Sequence, residues 1–167
     1  MRNGKTKTAE LAKCAVIAAA YAGLTILLEP VSYGPLQFRV AEVLCILPFF
    51  MPCSVWGLFV GCIIANVFGG NGLLDIVFGS LATLSAGLLT ARCKSRWLAL
   101  LPPVVMNGVI VGGLLAWLYM PENFLTGFAL MGAEVAFGEL VVMLCMGIPL
   151  MIYLPKSKAF MRLIDRE

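Results

Sequence analysis

Long apolar runs separated by short polar punctuation make up most of the chain. Read as helices, they fall at about residues 9–29, 39–52, 54–69, 73–91, 97–119 and 128–154. Four of the six reach the roughly 20 residues that a helix needs to cross about 30 Å of hydrocarbon. The runs at 39–52 and 54–69 are shorter, and Pro48 and Pro52 argue against fusing them, because each removes a backbone hydrogen bond and clashes with the preceding turn. Two short or kinked spans are expected there, with a re-entrant pair as the alternative. Glu29-Pro30 and Pro155 read as helix stops, and Gly69-Gly70-Asn71-Gly72 and Met120 to Gly127 read as loops.

The pattern therefore predicts an all-α integral membrane protein, one six-helix transmembrane domain over residues 1–167. Composition agrees: 61% of residues are hydrophobic and 13% charged, with a mean hydropathy of +0.97, far from the balance of a soluble domain. The basic N-terminal segment Met1 to Lys13 is expected to stay attached, since the apolar run behind it is longer than a signal-peptide core and lacks a cleavage site.

Charge placement orients the bundle. Eleven of the 12 basic residues sit in three segments, Arg2 to Lys13, Arg92 to Arg96 and Lys156 to Arg166, and Arg39 is the twelfth. Six spans put all three segments on one side, which the positive-inside rule makes cytoplasmic, so both termini are expected inside. Five spans would send the Arg92 to Arg96 cluster outside.

With that topology, the polar side chains gather between the outer face and the bilayer centre. Arg39, Asn66 and Asp75 fall within a turn or two of the outer surface, Glu134 roughly 9 Å below the start of its span, and Glu139 and Asn107 nearer the midplane. The cytoplasmic halves are almost free of polar side chains. A channel or proton relay needs polar lining on both halves; this distribution describes a pocket open to the outside with an apolar floor. Its rim is Tyr33-Gly-Pro-Leu-Gln-Phe-Arg-Val-Ala-Glu, where Arg39 and Glu42 stand three apart and share one helical face.

The candidate binding residues are Tyr33, Gln37, Arg39, Glu42, Asn66, Asp75, Asn107, Trp117, Glu134 and Glu139. Four carboxylates against one guanidinium favour a guest that donates hydrogen bonds or carries positive charge. Tyr33, Phe38 and Trp117 supply faces for stacking on a flat ring. For each carboxylate the alternative is an interhelical hydrogen bond that only holds the bundle together. Along the first span, Ala12, Ala15, Ala18, Ala19, Ala22 and Gly23 form a small-residue stripe that permits close approach of another helix.

Several chemistries are excluded. There are no histidines, which removes a His base, haem ligation or a His-containing metal site. The six cysteines form no Cys-x-x-Cys pair and lie mostly in apolar runs, so neither zinc nor a disulfide framework is expected. No GxxxxGK[ST] pattern occurs, so any ATP is used elsewhere. No serine or cysteine stands beside a suitable base, which argues against a membrane enzyme.

Tyr33 to Leu44, Leu47 to Phe50, Gly57 to Asn66 and Gly69 to Leu84 together closely resemble the QueT family. That resemblance implies an S-component of an energy-coupling factor transporter, the substrate-binding subunit for queuosine precursors. It implies a six-helix bundle that holds its ligand under the first connecting loop at the outer face of the cell membrane. It also implies a membrane coupling protein and two cytoplasmic ATPases as partners, with Ala15, Ala18, Ala19 and Ala22 docking on the coupling protein, and no cofactor in this chain. Queuine and its aminomethyl precursor are deazaguanines with a guanine-like edge and an amine, which fits the carboxylate excess; Glu134 is expected at the edge and Glu42 or Glu139 near the amine. An S-component for another small aromatic or cationic vitamin, and a structural membrane protein with buried carboxylates, are the alternatives.

Overall fold

The structure, a computed structural model, describes residues 4–28, 38–70 and 72–164. Tyr33, Gln37, the Glu29-Pro30 stop and Asn71 lie outside the described residues. Every regular element among the described residues is helical: α1 Gly4–Leu27, α2 Val40–Phe50, α3 Ser54–Gly69, α4 Leu73–Thr90, α5 Leu98–Tyr119, α6 Pro121–Lys156 and a terminal α7 Lys158–Ile164. Four of them, α1, α4, α5 and α6, are long and apolar enough to cross a membrane, and α2 and α3 are shorter apolar helices.

Pro48 and Pro52 act as their chemistry demands. Pro48 occupies the first turn of the α-helical part of α2, where its missing N–H costs nothing, and the chain breaks at Met51 before α3 begins at Ser54. Ahead of Pro48, Val40–Ile46 winds as a 3-10 helix of seven residues, longer than such winding usually runs. With three residues per turn, side chains at i and i+3 eclipse, so Arg39, Glu42 and Cys45 line up along one edge of α2.

The expected loop from Met120 to Gly127 is not one. Met120 alone makes the turn, and helix resumes at Pro121, a residue suited to a first turn. Gly127 lets the two helices close on each other, since a Cβ there would stand 2.8 Å from the Met120 Cβ. Wide π turns interrupt α5 at Asn107–Val111 and α6 at Met143–Gly147. The second lies just ahead of Pro149, whose ring nitrogen has no hydrogen to give the preceding turn.

Two crossings are set by glycine. A Cβ on Gly57 would lie 2.6 Å from the Cys14 carbonyl oxygen, and one on Gly61 would lie 2.8 Å from that of Ala18, so α1 and α3 meet backbone to backbone. Gly112 and Gly132 do the same for α5 and α6, where a Cβ on Gly112 would stand 2.4 Å from the Gly132 Cα. Small residues at crossings are how helices associate in lipid, which gives them no hydrophobic drive toward one another.

The burial pattern is that of a protein dissolved in hydrocarbon. Leu27, Val16, Phe68, Leu73 and Leu125 are largely exposed, while Arg39, Glu42, Asn66, Thr83, Asn107 and Glu139 are buried. In lipid the apolar exterior costs nothing, whereas each polar group must find a partner inside. Ser54 and Thr90 are also buried, toward the end carrying Arg92 to Arg96, so that half is less free of polar groups than the sequence predicts.

Candidate functional site

Four helices bring polar side chains to one buried cluster. Glu42 on α2 accepts hydrogen bonds from the Tyr21 hydroxyl on α1, from Thr83 on α4 at 2.8 Å and from the Cys45 thiol at 2.9 Å. Three donors, all excluded from solvent, satisfy the acceptor oxygens of this one side chain. Thr83 also lies 3.2 Å from the Gly79 carbonyl and 3.3 Å from the Cys62 sulfur.

Beside it, Arg39 donates from Nη2 to Oδ1 of Asn66 on α3 at 2.5 Å and approaches Cys62 Sγ at 3.7 Å. Asn66 in turn donates to the Asp75 backbone carbonyl at 3.1 Å, tying the start of α4 to α3. Gly79 makes the room: a Cβ on it would fall 2.8 Å from Asn66 Nδ2 and 3.5 Å from Arg39 Nη1. Arg39 and Glu42, three apart on one face, are each held by side chains of other helices: Arg39 by Asn66, and Glu42 by Tyr21 and Thr83.

Glu139 on α6 completes the set. It is 2% exposed, its charged neighbours are Glu42 and Arg39, and its Oε1 has no hydrogen-bond partner among the described residues. Asn107, at the start of the α5 π turn and also 2% exposed, spends its amide on the Pro103 carbonyl at 3.0 Å, and its Oδ1 has no partner among the described residues. Fully buried acceptors normally have partners, and leaving one unmade costs about 1–3 kcal/mol. Among the described residues, the buried Arg, Lys, Asp and Glu side chains are one guanidinium and two carboxyl groups, so the centre has acceptor capacity to spare.

Of the residues expected at the site, Arg39, Glu42, Asn66, Asn107 and Glu139 are buried, and Asp75 is half-buried at its rim. Glu134 does not join them: its side chain is exposed. It precedes Glu139 by five residues, about 140° around a helix of 3.6 residues per turn, so the two cannot face the same way. Trp117 is 57% exposed and lines an outward apolar groove with Phe78, Phe124 and Phe128. The α1 stripe is divided, with Ala18 and Ala22 buried and Ala15 and Ala19 exposed.

Sequence reasoning missed Tyr21, Cys45, Cys62 and Thr83. Cys45 follows Glu42 by three, which becomes a signal only once 3-10 winding is known. Among the described residues no group of His, Cys, Asp and Glu has the arrangement of a metal site.

Residues 11–156 match the family model described as QueT transporter. The chain belongs to the QueT transporter family. Members are transporters, not enzymes, and with its apolar helices this one is a multi-pass membrane protein. A relative, the Queuosine precursor transporter QueT of Lactococcus lactis subsp. cremoris (strain MG1363), is 39% identical over 82 residues. The match spans about half of each protein, 48% of this chain and 48% of the relative. No solved structure matches the chain.

Proposed function

We propose that this QueT family member is the substrate-binding S-component of an energy-coupling factor importer and captures a queuosine precursor, queuine or a related deazaguanine, at the outer face. The observation that carries the reading is the buried acceptor Glu139 Oε1, which has no partner among the described residues and whose charged neighbours are Glu42 and Arg39; Asn107 Oδ1 on α5 is a second buried acceptor of that kind. A deazaguanine brings what they lack: N–H donors on a planar edge and an amine. Glu139 takes the place first expected for Glu134 at that edge, because Glu139 is the buried one.

In this reading six spans place both termini in the cytoplasm. The exposed Ala15 of α1, in a groove of about 470 Å³ shared with Ala18, Trp56 and Val60, docks on the coupling protein together with the exposed Ala19, and two partner ATPases supply the energy. The structural alternative has its own support at Glu42, whose three donors already satisfy it; we assign Glu42 to holding the site's shape and Glu139 to the guest.

Calorimetric titration of the purified chain with queuine, its aminomethyl precursor, guanine and thiamine tests the reading. Saturable binding of a deazaguanine in preference to guanine and thiamine is expected. Binding of thiamine with no response to either deazaguanine would contradict the substrate assignment.

A further inference from the structure

At the end of the bundle that carries the basic connection, a cavity of about 370 Å³ opens between the end of α2, the 92–97 connection and the end of α6. Phe49, Phe50, Met151 and Pro155 form its apolar wall, and Lys94, Ser95, Arg96 and Trp97 its polar side. No acidic residue lines it. At about 30 Å³ for one water's share of the liquid, the space is far larger than a single small anion needs.

Three features bear on its occupant. Lys94 and Arg96 are exposed and alternate along the connection, so two cations reach one opening and are matched by no lining carboxylate. Trp97, 54% exposed, precedes the first turn of α5, and indoles settle at the headgroup level of a bilayer. Behind the cations the wall turns apolar, with Met151 fully buried and Phe50 edge-on to both Phe49 and Phe160 of α7 at 5.1 and 5.6 Å between ring centres. A soluble phosphate would use the cations and leave that wall wet. A phospholipid uses both, with its phosphate at Lys94 and Arg96 and its glycerol and upper methylenes against Phe49, Phe50 and Pro155.

We infer that this cavity is a binding site for the headgroup of an anionic phospholipid. It is separate from the buried cluster around Glu42 and does not depend on which substrate the chain carries. Arg92 supplies an internal control. It belongs to the same basic connection, but it does not line the cavity and its Nη1 reaches the Leu88 carbonyl at 3.4 Å.

The test is native mass spectrometry of the full chain in detergent mixed with phosphatidylglycerol or phosphatidylcholine. Retention of phosphatidylglycerol over phosphatidylcholine is expected, with a loss on the order of ten-fold in the Lys94→Gln/Arg96→Gln double variant and none in Arg92→Gln. Ser95→Trp, which fills the cavity but keeps both cations, is expected to lose the lipid as well, and glycerol 3-phosphate is expected not to displace it. Equal retention of the two lipids would overturn the inference, as would equal losses in Arg92→Gln and the double variant, which would mean diffuse attraction. Retention unchanged in Ser95→Trp, or displacement by glycerol 3-phosphate, would overturn it too, the latter marking a soluble-phosphate site.

Discussion

Arg39 and Asn66 meet across α2 and α3 at 2.5 Å, guanidinium to carboxamide oxygen, and the same carboxamide binds the Asp75 carbonyl at 3.1 Å. One side chain thus fixes the cation and the entry of α4 together. Asn66→Ala removes both contacts, and a hydrogen bond to a charged group contributes about 1.5–3 kcal/mol. A loss of about that size is expected in denaturation of the purified protein in detergent. Full stability in Asn66→Ala would mean that Arg39 is held by other means.

Glu42 loses one of three donors in Tyr21→Phe. Hydrogen bonds between membrane helices average about 0.6 kcal/mol and reach about 1.7, so a cost near 1 kcal/mol is expected, with ligand affinity little changed. A large fall in affinity at unchanged stability would instead make Glu42 a direct ligand contact.

The α1–α3 crossing predicts a contrast between two glycines. Gly57→Ala places a methyl 2.6 Å from the Cys14 carbonyl, whereas at Gly23 nothing lies within 4 Å. Overpacking of the first kind costs about 1–3 kcal/mol, while Gly23→Ala adds helix propensity of up to about 1 kcal/mol. Thermal unfolding of the two variants measures the difference, and equal behaviour would contradict the backbone-to-backbone approach.

Orientation is tested at Lys94, exposed in the basic connection. Lys94→Cys is expected to react with a membrane-impermeant maleimide in inverted vesicles and not in intact cells, judged against the parent chain with its six native cysteines. Labelling from the outside would reverse the proposed topology.

How much of this was legible depends on which interaction sets each feature. Run lengths gave the helices, because bilayer thickness imposes length directly, and Pro48 and Pro52 gave the break between α2 and α3. Arg39, Glu42, Asn66, Asn107 and Glu139 stood out because a polar group in an apolar run must turn inward. That rule does not say which way a residue faces when its helix has two polar positions, so Glu134 and Glu139 were not separated, although their five-residue offset held the answer that only one of them faces the centre. Tyr21, Thr83 and the cysteines gave no signal because each is ordinary in an apolar helix until its neighbours are known. Gly57-Leu-Phe-Val-Gly61 was a readable small-residue motif, and its partner is the Cys14 to Ala18 stretch of this same chain.

Titration of Glu139→Gln with the deazaguanine that the parent protein prefers tests the central claim most directly. The side chain keeps its size but exchanges a carboxyl oxygen for an amide N–H₂, and the loss of a hydrogen bond to a charged ligand group, about 1.5–3 kcal/mol, corresponds to a fall in affinity between about ten- and a hundred-fold. Glu134→Gln is expected to shift affinity by less than about two-fold, as befits an exposed position. Loss of binding in Glu139→Gln with its unfolding temperature preserved is the predicted result; unchanged affinity in Glu139→Gln, with the loss appearing in Glu134→Gln, would contradict the account.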